Sequence, residues 1–175
     1  MGSIETLQRH LPADKLQTGE CVGERPKIAV VGFGRVGRGF LHDGLNADIT
    51  AVTRSKQPLP ESGKLSAHLN GVDIARDYEG LVRTLEKLKV DGVRTVINAA
   101  GEADIDKLEL QRYAADRESL SAYQTNVVGA ENLARACKET DLKLLHISTE
   151  SVFGQDKKDG AKYHEDEIPN PSTRY

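Results

Sequence analysis

With 175 residues, 38% of them hydrophobic, the chain can bury one good core and falls within the size of a single domain. Charged residues make up 29% and are interspersed, with a net charge of -3, which excludes the basic stripe a nucleic-acid binder needs. No apolar run approaches the roughly 18 residues of a membrane span and the N-terminus lacks the pattern of a secretion signal, so no membrane partner and a cytoplasmic location are expected. Cys21 and Cys137 show no paired spacing, so neither a disulfide framework nor a metal knuckle is expected.

Residues 1–26 contain Pro12, Gly19, Gly23 and Pro26 with little periodicity and read as a flexible leader, which places the folded domain at 27–175. From Lys27 onward, short β-branched runs alternate with longer amphipathic stretches, the pattern of a parallel sheet covered by helices on both faces. Lys27 to Val31 reads as a buried first strand, followed by a glycine turn at Gly32 to Gly37 and a helix ending near His42, Asp43 and Gly44. Asp48 to Thr53 is the second strand, and a loop through Pro58 and Pro60 leads to a third around Leu65 to Val72. A helix from Tyr78 to Leu88 places Leu81, Leu85 and Leu88 on one face. Thr95 to Asn98 forms the fourth strand. A long helix from Ser119 to Glu139 should bury Ala130, Leu133, Ala134 and Cys137, and Leu144 to Ser148 is the fifth strand. After Phe153 the composition is that of a polar surface loop. The expected class is therefore α/β, a doubly wound parallel sheet of the Rossmann kind.

Gly32-Phe33-Gly34-Arg35-Val36-Gly37 directly follows a strand and opens a helix, the context in which G-x-G-x-x-G signals a dinucleotide. The first glycine permits the tight turn, the second lets the backbone approach the pyrophosphate, and the third allows close packing of helix on strand. A domain that prefers NAD usually carries Asp or Glu at the end of the second strand, to hold the ribose 2'-hydroxyl. This chain has Thr53-Arg54-Ser55 there. A guanidinium and hydroxyls suit an added 2'-phosphate, so NADP is the expected cofactor and NAD the alternative, the competing reading being that Arg54 is a solvated loop residue.

Further motifs carry a resemblance. Asn98-Ala99-Ala100-Gly101, Asp106-Lys107, Asn126-Val127-Val128-Gly129-Ala130-Glu131-Asn132-Leu133-Ala134, His146-Ile147-Ser148-Thr149-Glu150-Ser151-Val152-Phe153-Gly154, and finally Glu165-Asp166-Glu167 with Asn170-Pro171 and Tyr175 follow in order. Together with the glycine turn they resemble the extended short-chain dehydrogenases, within them the dTDP-4-dehydrorhamnose reductases, over about residues 27–175. The resemblance implies that Asn98, Ala99 and Ala100 lie beside the cofactor, that Asp73 and Ile74 contact adenine, and that Asn126 supports the active-site backbone. It further implies that Thr149, with Ser148 as neighbour and rival, binds the carbonyl oxygen while Tyr175 transfers the proton. The family's lysine, four positions past the tyrosine, lowers the tyrosine pKa and falls beyond residue 175, as do a sixth strand and the C-terminal substrate lobe. Catalysis by these residues alone is not expected.

Some positions depart from the family pattern. Val31 stands where G-x-x-G-x-x-G would need glycine, Glu150 replaces the usual Asp, and Ser151 replaces an aromatic residue. The implied function is the cofactor-binding part of an NADP-dependent reductase of a 4-keto nucleotide sugar, whose partners are the nucleotide cofactor and that sugar, with a homodimer open. A sugar-nucleotide epimerase or dehydratase, or a non-catalytic nucleotide-binding regulatory subunit, are the alternatives.

Overall fold

The computed structural model describes residues 24–42, 45–56, 59–104, 121–154, 157 and 161–171. Most of the expected leader, with Cys21, and Tyr175 and Asp106-Lys107 lie outside these residues. Five parallel strands form one sheet in the order β3-β2-β1-β4-β5: β1 (Lys27–Val31), β2 (Asp48–Thr53), β3 (Leu65–Asn70), β4 (Thr95–Asn98) and β5 (Lys143–His146). Such an order, reversing direction at β1, is that of a doubly wound sheet. Ile28 to Val31 and Ile49 to Val52 are buried throughout, as expected of central strands covered on both faces.

Alternation along β1 sends its side chains into two separate cores. Ala29 and Val31 join Val52, Leu81, Leu85, Leu88, Val96, Leu133, Ala136 and Cys137 beneath two helices, α2 (Tyr78–Val90) and α3 (Ser121–Glu139). Ile28 and Val30 join Phe33, Ile49, Ala51 and Ile97 on the opposite face, under α1 (Arg35–Gly39). Helix α2 starts at Asp77, whose carboxylate accepts from Gly80 N at 2.9 Å, and stops at Gly92, which takes a φ of +95°. Arg25 and Pro26 already belong to the framework. Asp48 N donates to Pro26 O at 2.9 Å, and Arg25 pairs with Asp48 at 2.8 Å.

Three elements differ from the sequence expectation. Helix α1 ends at Gly39, and the chain then continues in tighter turns, with Leu41 N donating to Arg38 O and His42 N to Gly39 O. Helix α3 is not uniform: it opens over Ser121–Tyr123, widens into a π-helical turn over Gln124–Gly129, and closes as α-helix over Ala130–Glu139. Its buried face runs through Gly129, Leu133, Ala136 and Cys137, so Ala136 takes the core position expected for Ala134, which is exposed. On that face Gly129 lies against Ile74, where an added Cβ would come within 2.7 Å of Ile74 Cγ1. Strand β5 ends two residues earlier than expected, and its outer residue Leu145 is 51% exposed.

Candidate functional site

The glycine turn at the end of β1 is shaped by contact with the loop after β4. Gly32 has a φ of +84° and donates its N–H to Val52 O at 2.9 Å, and an added Cβ there would lie 2.4 Å from Ala100 Cα. A Cβ on Gly37 would lie 2.1 Å from Gly32 O, so the turn and α1 touch backbone to backbone. Gly34 is different: no atom lies within 4 Å of where its Cβ would be. That open space, with the N–H groups of the first helical turn beside it, fits an incoming phosphate. Because α1 has five residues, these N–H groups and not a long helix dipole would supply the attraction. Phe33 is buried in the core under α1 and contributes backbone only, while Arg35 and Val36 are exposed.

Two clefts open at the C-terminal ends of the strands and share the wall Ala99-Ala100-Gly101. The first, about 190 Å³, runs from Gly32 and Gly34 past Arg54 to Asp73 and Ile74, with Thr125 on the helix side. Strand alternation continues past the end of β2. Val52 and Arg54 line the cleft, while Thr53 turns to the other face, where its hydroxyl donates to Ser55 O at 2.8 Å and meets His68 Nε2 at 2.7 Å. Contrary to the sequence expectation, Thr53 is therefore not one of the hydroxyls available to a ligand. Asp73 uses Oδ1 to accept from Ala75 N (3.0 Å) and Arg76 N (3.2 Å), which fixes the loop after β3. From α3, Asn132 Nδ2 donates to Ile74 O (3.0 Å) and Ala75 O (3.2 Å), holding that loop against the helix.

The second cleft, about 320 Å³, is lined by Val36, Ala103, Asn126, His146 and the segment Ile147-Ser148-Thr149, besides the shared wall. Asn98 lies beneath it and is only 1% exposed. Its Oδ1 accepts from Ala100 N at 3.1 Å and its Nδ2 donates to His146 Nδ1 at 3.0 Å, so Asn98 positions the wall and does not itself face the cleft. An acceptor Nδ1 leaves the neutral imidazole proton on Nε2. Asn126 sits in the π-helical turn and clasps the backbone of Glu102, accepting from its N at 2.8 Å and donating to its O at 3.0 Å. Single π turns are often found at functional sites, because the wider turn redirects side chains. Thr149 Oγ1 accepts from Ser151 N at 3.2 Å, which caps the 3-10 turn Glu150–Val152 without using its own proton. Ser148 lines the same cleft, so both candidate hydroxyls stand in one place.

Beyond the turn, the polar segment is packed on itself. Phe153 stacks on Tyr163 with ring centroids 5.2 Å apart, Lys157 pairs with Glu167, and Asn170 N donates to Val152 O at 2.9 Å. The hydrogen bonds from Lys157 and from His164 N hold the Glu167 carboxyl below its usual range. Among the described residues there is no cluster suited to a metal ion, and no helix long and apolar enough to cross a membrane.

The Asn98–His146 pair, Asn132 and the Thr53–His68 contact were not anticipated from sequence. Each links residues 15 or more positions apart, across strands or between a helix and a loop. Asn98 and His146 are aligned partners at the ends of β4 and β5, a signal visible only once strand register is known.

Comparison with known proteins places this geometry among relatives. A family model described as the RmlD substrate binding domain matches residues 27–175. A dTDP-4-dehydrorhamnose reductase from Mycolicibacterium smegmatis is 39% identical over 80 residues, which are 46% of this chain and 22% of that protein. Among solved structures, a dTDP-4-dehydrorhamnose reductase from Bacillus anthracis in complex with NADP superposes with a TM-score of 0.60 at 23% identity, covering 86% of this chain and 45% of that one. An L-threonine dehydrogenase from Clostridium difficile superposes with a TM-score of 0.61 at 18% identity, covering 86% and 44%. The chain thus spans less than half the length of these solved proteins. At such identities the likeness is one of fold, which hosts more than one reaction.

Proposed function

Since the chain belongs to the RmlD substrate binding domain family, and so is related to the nucleotide-sugar reductases of the extended short-chain class, we propose that it forms the cofactor-binding part of an NADP-dependent reductase of a 4-keto nucleotide sugar, acting in the cytoplasm. The observation that carries the reading is the pair of clefts sharing the Ala99-Ala100-Gly101 wall, one ending at the glycine turn and Arg54, the other at Ser148 and Thr149. A dinucleotide lying across that wall would have its two halves in the two clefts, where open parallel sheets bind ligands.

In this reading the backbone at Gly32, Gly34 and Gly37, with the flanking Phe33, Arg35 and Val36, holds the pyrophosphate. Arg54 takes the 2'-phosphate, and Asp73 and Ile74 border the adenine. Asn98 acts through Ala100, and Asn126 through Glu102, to fix the wall of the second cleft. Thr149 donates its hydroxyl proton to the substrate carbonyl oxygen, orienting and polarising it, and Tyr175 passes its proton to that oxygen as the alcohol forms. When bound, NADPH supplies the hydride.

The test is an NADPH-oxidation assay on a dTDP-4-keto-6-deoxyhexose with residues 1–175 joined to the lysine and substrate lobe that the family places after them, and with NADPH and NADH affinities measured by nicotinamide fluorescence. The reading expects turnover, tighter binding of NADPH, and loss of that preference in Arg54→Ala. Tighter binding of NADH would overturn the assignment of Arg54. Cofactor binding without turnover on any 4-keto nucleotide sugar would overturn the reaction.

A further inference from the structure

We infer that Thr53 and His68 form a positioning relay, on the face of the sheet away from the clefts, that holds the Arg54 turn and so sets the preference for NADP over NAD. The inference rests on the assignment of the 2'-phosphate to Arg54.

Arg54 has left the β2 ladder and is exposed, so a long side chain on a turn must be aimed by something other than sheet hydrogen bonds. The turn is held from behind. Thr53, at the end of β2, shares its face of the sheet with Ala51, and Ala51 is aligned with His68 of β3. The imidazole therefore reaches diagonally to the Thr53 hydroxyl, at 2.7 Å. That hydroxyl has one proton, which it donates to Ser55 O at 2.8 Å. Its bond with His68 must then run the other way, with Nε2–H donating, which fixes the ring tautomer. The chain of donors runs from His68 to Thr53 to the carbonyl of Ser55, and Arg54 is the residue enclosed between the two anchored positions.

A second tether acts on the strand end itself, where Val72 N donates to Thr53 O at 3.1 Å. This backbone bond survives any side-chain change at Thr53 or His68, so the strand should keep its place while the turn beyond it loosens. Such a relay would spend no group on the ligand, yet it restricts the conformations Arg54 must give up on binding phosphate. NADH does not use Arg54 in this reading, so its affinity should be indifferent to the relay.

The test compares NADPH and NADH affinities for wild type, Arg54→Ala, Thr53→Val, Thr53→Ser and His68→Leu. Thr53→Val keeps the side-chain shape and deletes both bonds, and the expected result is a fall of about five- to tenfold in the NADPH-over-NADH preference, the scale of one or two neutral hydrogen bonds. Thr53→Ser should restore the wild-type ratio. His68→Leu should lower it in the same direction, and it carries the test if Thr53→Val does not fold. An unchanged ratio in Thr53→Val or His68→Leu, alongside a collapse in Arg54→Ala, would overturn the relay and leave the Arg54 assignment standing. So would an equal loss of both affinities, which means general loosening. An unchanged ratio in Arg54→Ala would overturn the assignment and the relay together.

Discussion

Substituting alanine at Gly32 and at Gly34 separately should divide what the glycine turn does for folding from what it does for binding. At Gly32 the new Cβ meets Ala100 Cα at 2.4 Å, where ordinary contact begins at 3.4 Å, so the loop after β4 must retreat by about 1 Å. The φ of +84° adds a backbone cost of roughly 1–2 kcal/mol for an L-residue, and forced overpacking typically costs about 1–3 kcal/mol. A total near 3 kcal/mol corresponds to a drop in Tm of roughly 6–12 °C for a chain of this length. At Gly34 the φ is negative and the space is empty, so Gly34→Ala should leave Tm within about 2 °C of wild type. Its methyl group instead fills the gap through which the backbone would approach a pyrophosphate, and NADPH affinity should fall about tenfold or more. Differential scanning fluorimetry and nicotinamide fluorescence titration on the same samples read both effects. If Gly34→Ala binds NADPH like wild type, the open space is not the phosphate site. If its Tm falls as far as that of Gly32→Ala, the turn is held by contacts other than those described.

Three further outcomes follow from side-chain environments. Asn98→Leu should lower stability by roughly 2 kcal/mol, because it strips partners from Ala100 N and His146 Nδ1; urea denaturation measures it, and a change under 0.5 kcal/mol would remove Asn98 as the support of the wall. Glu167 is held below its usual range, chiefly by its hydrogen bond from Lys157, so the docking of residues 161–171 is strengthened above the ordinary glutamate value near 4.3 and that strengthening is lost as pH falls from there through the depressed value. Tyr163 ring resonances followed by NMR should report this loosening, and Lys157→Met should weaken its pH dependence, leaving the part that the hydrogen bond from His164 N contributes. Burial pushes the Cys137 thiol up to about 11, so in Cys21→Ser protein it should resist Ellman's reagent at pH 8 until the protein unfolds, and stability should decline as pH rises from about 8.5, where an unfolded thiol ionises, towards 11. Rapid labelling of the native protein would contradict that burial.

The parts of the fold that could be read from sequence are those whose signal is local. Strands β1, β2 and β4 follow from β-branched runs between turn residues, and the Gly32–Gly37 turn from spacing and context, because each needs only its own segment to be recognised. Helix α3 shows the limit of that logic. Its apolar residues allow more than one buried face, and the one adopted packs on residues far away in the chain, as where Gly129 lies against Ile74, 55 positions apart. The π turn at Gln124–Gly129 likewise follows from no residue preference, yet it places Thr125 and Asn126 on the two clefts.

The same division runs through the candidate site. Arg54 is legible from its distance after the glycine turn, and in the sequence the neighbouring hydroxyls of Thr53 and Ser55 suit a phosphate as well. Strand alternation past the end of β2 separates the two: Arg54 faces the cleft, and Thr53 faces His68. Asn98 and His146 repeat the pattern, two polar side chains brought together by register, one of them buried under the wall that the other helps to line. Residues in the clefts are thus found by motif, and the residues that fix them are found by topology. A Rossmann domain with the same guanidinium but without a donor in register on β3 should discriminate less sharply between the two cofactors. Transferring the Thr53–His68 pair into such a domain should sharpen its discrimination without adding any contact to the ligand.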